Sequence, residues 1–269
     1  MTTADPAAPS LLLEARSLRK EFVTSRGLHR STLVAVDDVS VGVPTASTLA
    51  VVGESGSGKS TLARMCGLLL EPTAGEVVFD GQAVTPESVQ LLRREIQFVF
   101  QDPFSSLNPR HTVEQIVTAP LRYQGIRIRK DLRTFAQDML DRVGINPDHV
   151  DRLPSQFSGG QAQRIGIARA LACRPRLIIC DEAVSALDVS VQAEVLQLLV
   201  DLQADYGLGY LFITHDLAVV RLIATHVAVM QSGRLVESGP ADQLLDAPQE
   251  RYTQELLKAV PAYPADWNI

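Results

Sequence analysis

Two patterns of apolar residues alternate along much of this chain. Short, mostly apolar runs occur at residues 49–52, 96–100, 177–180 and 210–213. Runs of this length are typical of buried strands. Between the last two runs, apolar residues recur at the spacing of one helix face, at Val191, Val195, Leu198 and Leu202. Strands that alternate with helices predict an α/β fold with a parallel sheet, in which ligands bind at the carboxyl ends of the strands.

The N-terminal part of the chain has a different pattern, which favours half-buried strands. Apolar and polar residues alternate over residues 33–43, and we also predict strands over residues 11–22 and 75–80. Residues 24–32 are polar, and we predict a solvated hairpin loop there. Residues 1–10 are rich in Ala, Pro and Thr, and we expect them to be disordered.

The middle of the chain, from about residue 102 to 172, is predicted to form an inserted helical subdomain. Residues 102–110 contain two prolines and two serines, which favour a rigid loop over a regular element. A helical pattern extends from residue 112 to about 156. A further helix over residues 158–172 ends before Pro175.

The C-terminal part is predicted to contain a helix, two strands and two short helices. The strands are joined by a turn at Ser232-Gly233 and end at Ser238. The short helices are expected over residues 241–246 and 250–259. We treat residues 11–261 as one domain, followed by a tail at residues 262–269.

The most specific motif is a glycine-rich stretch between a predicted strand and a predicted helix over residues 61–70. It fits the phosphate-loop pattern G-x-x-x-x-G-K-[ST] and consists of Gly53, Glu54, Ser55, Gly56, Ser57, Gly58, Lys59, Ser60 and Thr61. The glycines let backbone N–H groups approach phosphate oxygens closely, and the helix adds the positive end of its dipole. We expect these residues to bind a nucleotide, with Lys59 on the β- and γ-phosphates and the Ser60 hydroxyl on Mg²⁺. The motif alone indicates an NTPase or a kinase.

Polar residues follow three of the predicted strands, at the edge where an open α/β sheet binds ligands: Gln101, Asp181-Glu182 and His215. Asp181 is expected to help hold Mg²⁺, and Glu182 to orient and deprotonate the attacking water. His215 is placed to donate to the γ-phosphate, and Gln101 to bring an amide oxygen near the metal and the water. The alternatives are a solvent-facing acidic pair and a structural histidine.

A second candidate anion site begins at Ser158. The residues Ser158, Gly159, Gly160 and Gln161 combine an N-cap residue with two glycines at a helix N-terminus. One nucleotide does not need two glycine-rich sites from one chain. Two copies arranged head to tail would each close over the ATP of the other. An ordinary capped helix fits the same residues.

Composition narrows the class of protein. The chain has 269 residues, a formal net charge of −6 and an apolar fraction of 46%, which suits a globular domain and argues against a nucleic-acid partner. No apolar run approaches the roughly 18 residues of a spanning helix, and no secretory signal is visible. The three cysteines are far apart and form no metal-ligand pattern. We therefore expect a cytosolic chain that associates with a membrane only through a partner.

Taken together and in this order, the motifs resemble those of ABC transporter ATP-binding subunits. The likeness extends from about residue 13 to 261 and rests on the phosphate loop, Gln101, His215 and residues 157–161, 177–182 and 185–188. It implies a P-loop NTPase with a RecA-like core, an antiparallel β layer and a helical subdomain. It also implies ATP held between the phosphate loop of one subunit and residues 158–161 of its partner, with Phe22 stacked on adenine and Asp188 at the dimer interface. Gln101 would couple the site to the transporter.

Finer features are similar to importers of dipeptides, oligopeptides and nickel. They are residues 99–110, residues 181–192 and an ending that contains Pro248, Tyr252, Leu256, Leu257 and Pro261. This likeness implies an ATPase that pairs with a sister subunit or a second copy. Its further partners would be two integral-membrane permease subunits and, indirectly, an extracytoplasmic solute-binding protein, with the ATPase at the cytoplasmic face of the inner membrane. A soluble ABC-type ATPase without a transport role and a small-molecule kinase are the alternatives.

Overall fold

The computed structural model of the protein describes residues 10–26 and 29–258. The predictions for residues 1–9 and 262–269, and the last residue of the helix predicted over 250–259, lie outside this part. The strands described are β1 (Leu11–Arg26), β2 (His29–Pro44), β3 (Thr48–Val52), β4 (Ala74–Phe79), β5 (Gln82–Ala83), β6 (Ile96–Phe100), β7 (Leu177–Asp181), β8 (Gly209–Ile213), β9 (His226–Gln231) and β10 (Arg234–Pro240). The α-helices described are α1 (Lys59–Cys66), α2 (Pro86–Glu95), α3 (Pro103–Ser106), α4 (Val113–Tyr123), α5 (Leu132–Arg142), α6 (Gly159–Leu171), α7 (Val189–Tyr206), α8 (Leu217–Ile223), α9 (Ala241–Asp246) and α10 (Arg251–Lys258).

A six-stranded sheet with the order β10-β9-β3-β8-β7-β6 forms the centre of the fold. Its strands are parallel except for β10, which is antiparallel to β9. Every residue of β3, β7 and β8 is buried, which explains why these strands are continuous apolar runs in the sequence. Phe100, Asp181 and Ile213 lie level across β6, β7 and β8. The residues that follow these strands therefore meet at one edge, as predicted for a parallel α/β sheet.

A four-stranded antiparallel sheet, in the order β2-β1-β4-β5, packs over one face of the central sheet. Helix α1 contacts both sheets. One buried cluster joins the three layers, with Leu13 and Val39 from the antiparallel sheet, Leu62 and Met65 from α1, and Leu211 from the central sheet. The antiparallel layer implied by the family resemblance is therefore present.

The hairpin between β1 and β2 is longer than predicted. The two strands occupy most of the segment predicted as a loop over residues 24–32, with Thr24 paired to Ser31 and Arg26 paired to His29. The loop prediction is wrong over these pairs. Backbone hydrogen bonds hold a β ladder, so polar residues can form one without leaving an apolar pattern in the sequence.

Two helices near the phosphate loop also differ from the prediction. Helix α1 ends at Cys66 instead of at residue 70. Gly67 caps it, and Leu68 adopts a left-handed φ of 59° that ends the helical path. Helix α2 was not predicted, because it has few apolar residues and none of its residues is fully buried, although Leu92 packs half-buried against the cluster that joins the two sheets. A capping box between Thr85 and Ser88 starts it.

The segment predicted as a loop over residues 102–110 contains the one-turn helix α3, which corrects that prediction. The Asp102 carboxylate accepts hydrogen bonds from the amides of Phe104 and Ser105 at 3.0 and 3.3 Å, and these bonds start the turn. Helices α4, α5 and α6 then pack together, and α6 also contacts β6. Their buried residues belong to one cluster with the face of the central sheet opposite the antiparallel layer. A third cluster joins α8, α9 and α10 to Ala50 and Val52 of β3.

Candidate active site

The phosphate loop connects β3 to α1, and its own backbone fixes the position of Lys59. The Lys59 ammonium donates to the carbonyl oxygens of Gly53 and Glu54 at 2.8 and 2.7 Å. Glycine is required at both ends of the loop. Gly53 and Gly58 have φ of 148° and 103°, and a Cβ would lie 2.1 Å from the Met230 carbonyl at the first and 2.4 Å from a β2 carbonyl at the second.

Ser60 and Asp181 meet beside the loop. The Ser60 hydroxyl, in the first turn of α1, donates to the Asp181 carboxylate at 2.8 Å across 121 residues of sequence. Asp181 is buried at the end of β7. A hydroxyl and a carboxylate in contact form a pair of oxygen donors of the kind that Mg²⁺ prefers. The residues present therefore fit the metal expected from the sequence.

Glu182 has a left-handed backbone next to this pair. Its φ is 51°, a conformation that costs a residue other than glycine about 1–3 kcal/mol and persists only where the surroundings impose it. Here its amide donates to the Ile213 carbonyl at 3.0 Å, and its own carbonyl accepts from the Ser185 amide at 3.1 Å. The Glu182 carboxylate lies 3.6 Å from Nδ1 of His215, with 21% and 58% of the two side chains exposed. The candidate base is thus held by the main chain and remains open to water.

The electrostatics of the site centre on Lys59. Burial lowers the pKa of the Lys59 ammonium below its usual value, since burial disfavours the charged form. The carboxylates of Glu182 and Asp181 oppose this shift. The Glu54 carboxylate opposes the shift as well, so three carboxylates act on one buried cation, and a bound polyphosphate would add negative charge beside this cation.

The second candidate anion site lies at the start of α6. Ser158 and Gln161 form a capping box. The backbone N–H of Gln161 donates to the Ser158 hydroxyl at 3.3 Å, and the backbone N–H of Ser158 donates to the side-chain oxygen of Gln161 at 3.0 Å. Ser158 is exposed, whereas Gly160 is buried against α7. A Cβ on Gly160 would lie 2.2 Å from Cγ1 of Val191. The helix end is therefore open to a partner while its second residue is packed tightly.

Comparisons with known proteins show the family and the fold of the chain. A sequence profile of the ABC transporter family matches residues 36–185, more than half of the chain. The chain belongs to the ABC transporter family.

Two solved structures of ABC proteins resemble it closely in fold, and the predicted P-loop NTPase fold is confirmed. The cbiO1 protein from Clostridium perfringens, part of the ABC transporter complex cbiONQ, has a TM-score of 0.75 and 26% identity over 88% of this chain and 92% of that one. The ATP-binding cassette MJ0796, in a dimeric post-hydrolysis state bound to ADP and Pi, has a TM-score of 0.75 and 28% identity over 85% and 98%.

Curated ABC relatives are more similar in sequence. The glutathione import ATP-binding protein GsiA of Escherichia coli (strain K12) is 49% identical over 256 residues, which cover 93% of this chain and 41% of that protein. The probable peptide ABC transporter ATP-binding protein y4tS of Sinorhizobium fredii is 49% identical over the same length, which is 72% of that protein. The chain thus spans less than half the length of GsiA. Among the described residues, no helix combines the length and apolar character needed to cross a bilayer.

The three other site residues predicted for this ABC family chain, Gln101, Phe22 and Asp188, lie at three separate places. Gln101 follows β6 directly and is exposed, at the edge where Asp181 ends β7. Phe22 lies in β1 of the antiparallel sheet, 38% exposed, with the Lys20 ammonium 5.7 Å from its ring centroid. Asp188 caps α7 by accepting from the Val191 amide at 3.0 Å.

This cap also affects the pKa of the Asp188 carboxyl. The bond from Val191, followed by one from the Ser190 hydroxyl, lowers the pKa of the Asp188 carboxyl. Asp188 and the start of α6 lie together, since Val191 contacts both. Among the described residues, no hydrogen bond or ion pair joins Asp188 or the start of α6 to the phosphate loop.

Two contacts to the phosphate loop were not predicted. The Gly233 amide donates to the Ser57 carbonyl at 2.9 Å, and the Glu54 amide donates to the Tyr252 hydroxyl at 3.1 Å. The sequence indicated a turn at Gly233 and contained Tyr252 in the ending typical of the peptide importers. Nothing in the local pattern linked either residue to the loop.

Proposed function

We propose that this chain is the ATP-hydrolysing subunit of an ABC importer that takes up peptides or a related solute. The observation that carries the proposal is the 2.8 Å contact of the Ser60 hydroxyl with the Asp181 carboxylate. It supports the proposal because these two groups are oxygen donors of the kind that Mg²⁺ prefers. The names of the relatives, which refer to glutathione import and to a peptide ABC transporter, support the solute class. A nickel complex is a further solute that the family resemblance allows.

The residues of the site have distinct roles in this proposal. The backbone N–H groups of the loop and the Lys59 ammonium bind the phosphates of ATP. Ser60, Asp181 and Gln101 would hold Mg²⁺, which would supply positive charge to neutralise the phosphates. Glu182 orients a water molecule and accepts its proton, and His215 donates to the γ-phosphate.

A second ATP-binding subunit completes the site. In a head-to-tail dimer, Ser158, Gly159, Gly160 and Gln161 of the partner cover the nucleotide, and Asp188 lies at the interface. Phe22 stacks on adenine. ATP would bind the closed dimer better than the open one, and its hydrolysis would release the dimer, which makes the nucleotide a conformational switch. Two permease subunits at the inner membrane would receive this movement, and an extracytoplasmic binding protein would deliver the solute.

A phosphate-release assay tests the chemistry. The purified chain with ATP and Mg²⁺ should release inorganic phosphate without any acceptor molecule, and Lys59→Ala should abolish the release. Lys130→Ala is the matched control, since Lys130 is an exposed lysine of the helical subdomain that pairs with Asp138. A Lys59→Ala protein that hydrolyses ATP at the parent rate would exclude this loop as the site. Phosphate that appears only on an added acceptor would favour a kinase.

An uptake experiment tests the transport role. Cells that lack the chain should lose uptake of labelled dipeptide or glutathione, and the parent chain should restore it where Glu182→Gln does not. The tagged parent should also co-purify with integral-membrane subunits. The soluble ATPase alternative is correct if the active chain purifies with no membrane protein attached and cells that lack the chain take up the solute as before.

A further inference from the structure

The phosphate loop has a contact with the C-terminal helix that the proposed chemistry does not use. The backbone N–H of Glu54, the second residue of the loop, donates to the Tyr252 hydroxyl at 3.1 Å. The two residues are 198 positions apart. Tyr252 lies in the first turn of α10, and its ring is partly buried in the cluster that includes Val52, the last residue of β3. The helix therefore reaches the loop through one oxygen atom on a packed ring.

Helix α10 is held firmly enough to act as a support. The Glu237 carboxylate, from β10, accepts hydrogen bonds from the amides of Gln249 and Glu250 at 2.8 and 3.3 Å, just before the helix begins. A carboxylate at this end is favoured by the helix dipole. Leu256 and Leu257 pack against the same cluster as Tyr252. Both the start and the apolar face of the helix are thus bound to the body of the domain.

The same part of the chain holds the loop at a second point. The Gly233 amide, in the turn that leads into β10, donates to the Ser57 carbonyl at 2.9 Å. The Gly233 carbonyl in turn accepts from the Asp37 amide of β2 at 2.8 Å. Glu54 and Ser57 bracket the exposed tip of the loop. The segment from Gly233 to α10 therefore binds the loop backbone on both sides of that tip.

We infer that Tyr252 is a positioning residue for the phosphate loop, and that it couples nucleotide binding to the docking of α10. This inference rests on the proposed function, since it requires that the loop binds ATP. The Tyr252 hydroxyl fixes the Glu54 peptide group and so raises the fraction of molecules whose loop amides converge on one point. Apparent affinity for a ligand scales with the fraction of molecules in the competent conformation. Because coupling is reciprocal, a nucleotide in the loop must stabilise the docked α10.

The test uses Tyr252→Phe, which removes one oxygen and keeps the ring in its cluster. Tyr206→Phe is the matched control, because Tyr206 is a half-exposed tyrosine at the end of α7 whose ring lies under Arg142, away from the loop. The Kd of each full-length protein for the Mg²⁺ complex of a non-hydrolysable ATP analogue is measured first. We expect about a five-fold increase for Tyr252→Phe, the equivalent of one hydrogen bond, and less than a two-fold change for the control. In steady-state hydrolysis, KM for ATP should rise by about the same factor with kcat within two-fold of the parent.

Amide hydrogen exchange distinguishes this role from a general loss of stability, because it measures how far the ligand protects α10. In the parent, the same analogue should slow exchange of the amides in α10, and in Tyr252→Phe this slowing should be lost although α10 remains helical. A Tyr252→Phe protein with parent affinity, or equal ligand protection of α10 in both proteins, would overturn the inference. If the parent protein binds no ATP, the proposed function and this inference are both overturned. If the parent binds ATP and Tyr252→Phe binds it equally well, the inference alone is overturned.

Discussion

Gly160→Ala tests whether the start of α6 is a functional surface or only a capped helix. The Cβ would lie 2.2 Å from Cγ1 of Val191, where an ordinary contact needs about 3.4 Å. About 1.2 Å must therefore be gained by moving α6 away from α7 or by forcing Val191 out of its rotamer. Overpacking of this kind costs about 1–3 kcal/mol, and alanine recovers up to about 1 kcal/mol over glycine inside a helix. The expected net loss of stability is about 0–3 kcal/mol, which leaves the protein folded.

The effect on hydrolysis should be much larger than the effect on stability. A displacement of about 1 Å in a group that contacts the reacting substrate can reduce the rate about 10²-fold. The assay is phosphate release by the ATP-dependent dimer, together with urea unfolding of each variant. Gly166→Ala is the control in the same helix, since no atom beyond its chain neighbours and the backbone of its own helix lies within 4 Å of its added Cβ. It should be neutral or slightly stabilising.

The double variant Gly160→Ala/Val191→Ala identifies the cause. Val191→Ala removes Cγ1, and the next nearest atom of that residue is its Cβ at 3.6 Å, an ordinary contact. We expect the double variant to regain most of the lost activity, with a coupling energy of about 1 kcal/mol or more in stability. If Gly160→Ala is as active as the parent, these residues do not cover the nucleotide. If the second change restores nothing, the contact with Val191 is not what the alanine disturbs.

Three further predictions concern the phosphate site and the core. Glu182→Gln removes the base but keeps the shape of the side chain, so ATP binding should persist while phosphate release falls at least about 10²-fold and the dimer stays closed in size-exclusion chromatography with ATP. Ser60→Ala removes the hydroxyl that lies 2.8 Å from the Asp181 carboxylate, so the Mg²⁺ concentration needed for half-maximal phosphate release should rise. Burial raises the pKa of the Cys66 thiol to about 12 and that of Cys173 to about 11, so a thiol-reactive disulfide at pH 8 should modify neither until denaturant is added.

Each of these predictions has a clear contrary result. Glu182→Gln that turns over ATP at the parent rate would remove Glu182 as the base. Ser60→Ala with an unchanged Mg²⁺ midpoint would show that the pair with Asp181 does not bind the metal. Ser105→Ala serves as its control, since Ser105 is an exposed serine of α3. Rapid modification of Cys66 or Cys173 in the native protein would contradict the packing around that thiol.

The central sheet and the residues at its edge were predictable because the relevant signals are local. Strands buried on both faces appear as apolar runs, and the polar residue that ends each run marks the edge of the sheet. Asp181 and His215 could therefore be assigned to one edge of the sheet before any geometry was known. The phosphate loop was predictable for the same reason, since its glycines and Lys59 lie within one short stretch.

The contacts that fix the loop were not predictable in this way. Glu54 and Tyr252 are far apart in sequence, and a single hydrogen bond leaves no periodic trace. Gly160 could be assigned to a capped helix, but its close approach to Val191 depends on how two helices pack. Helix α2 was missed because it fully buries no residue, so its sequence signals are local ones at its start, the cap at Thr85 and the proline at Pro86.

The position of β3 in the sheet has a consequence for synthesis of the chain. Both neighbours of β3 are late strands, since it pairs with β8 on one side and β9 on the other, and β9 ends at Gln231. At a translation rate of about 5–20 residues per second, β3 waits roughly 10 to 40 s for both partners. During that time an apolar strand with two open edges emerges from the ribosome, which is a hazard for aggregation. A nascent fragment that stops before β8 carries every residue of the glycine motif but lacks both of the strands that flank β3 in the folded sheet.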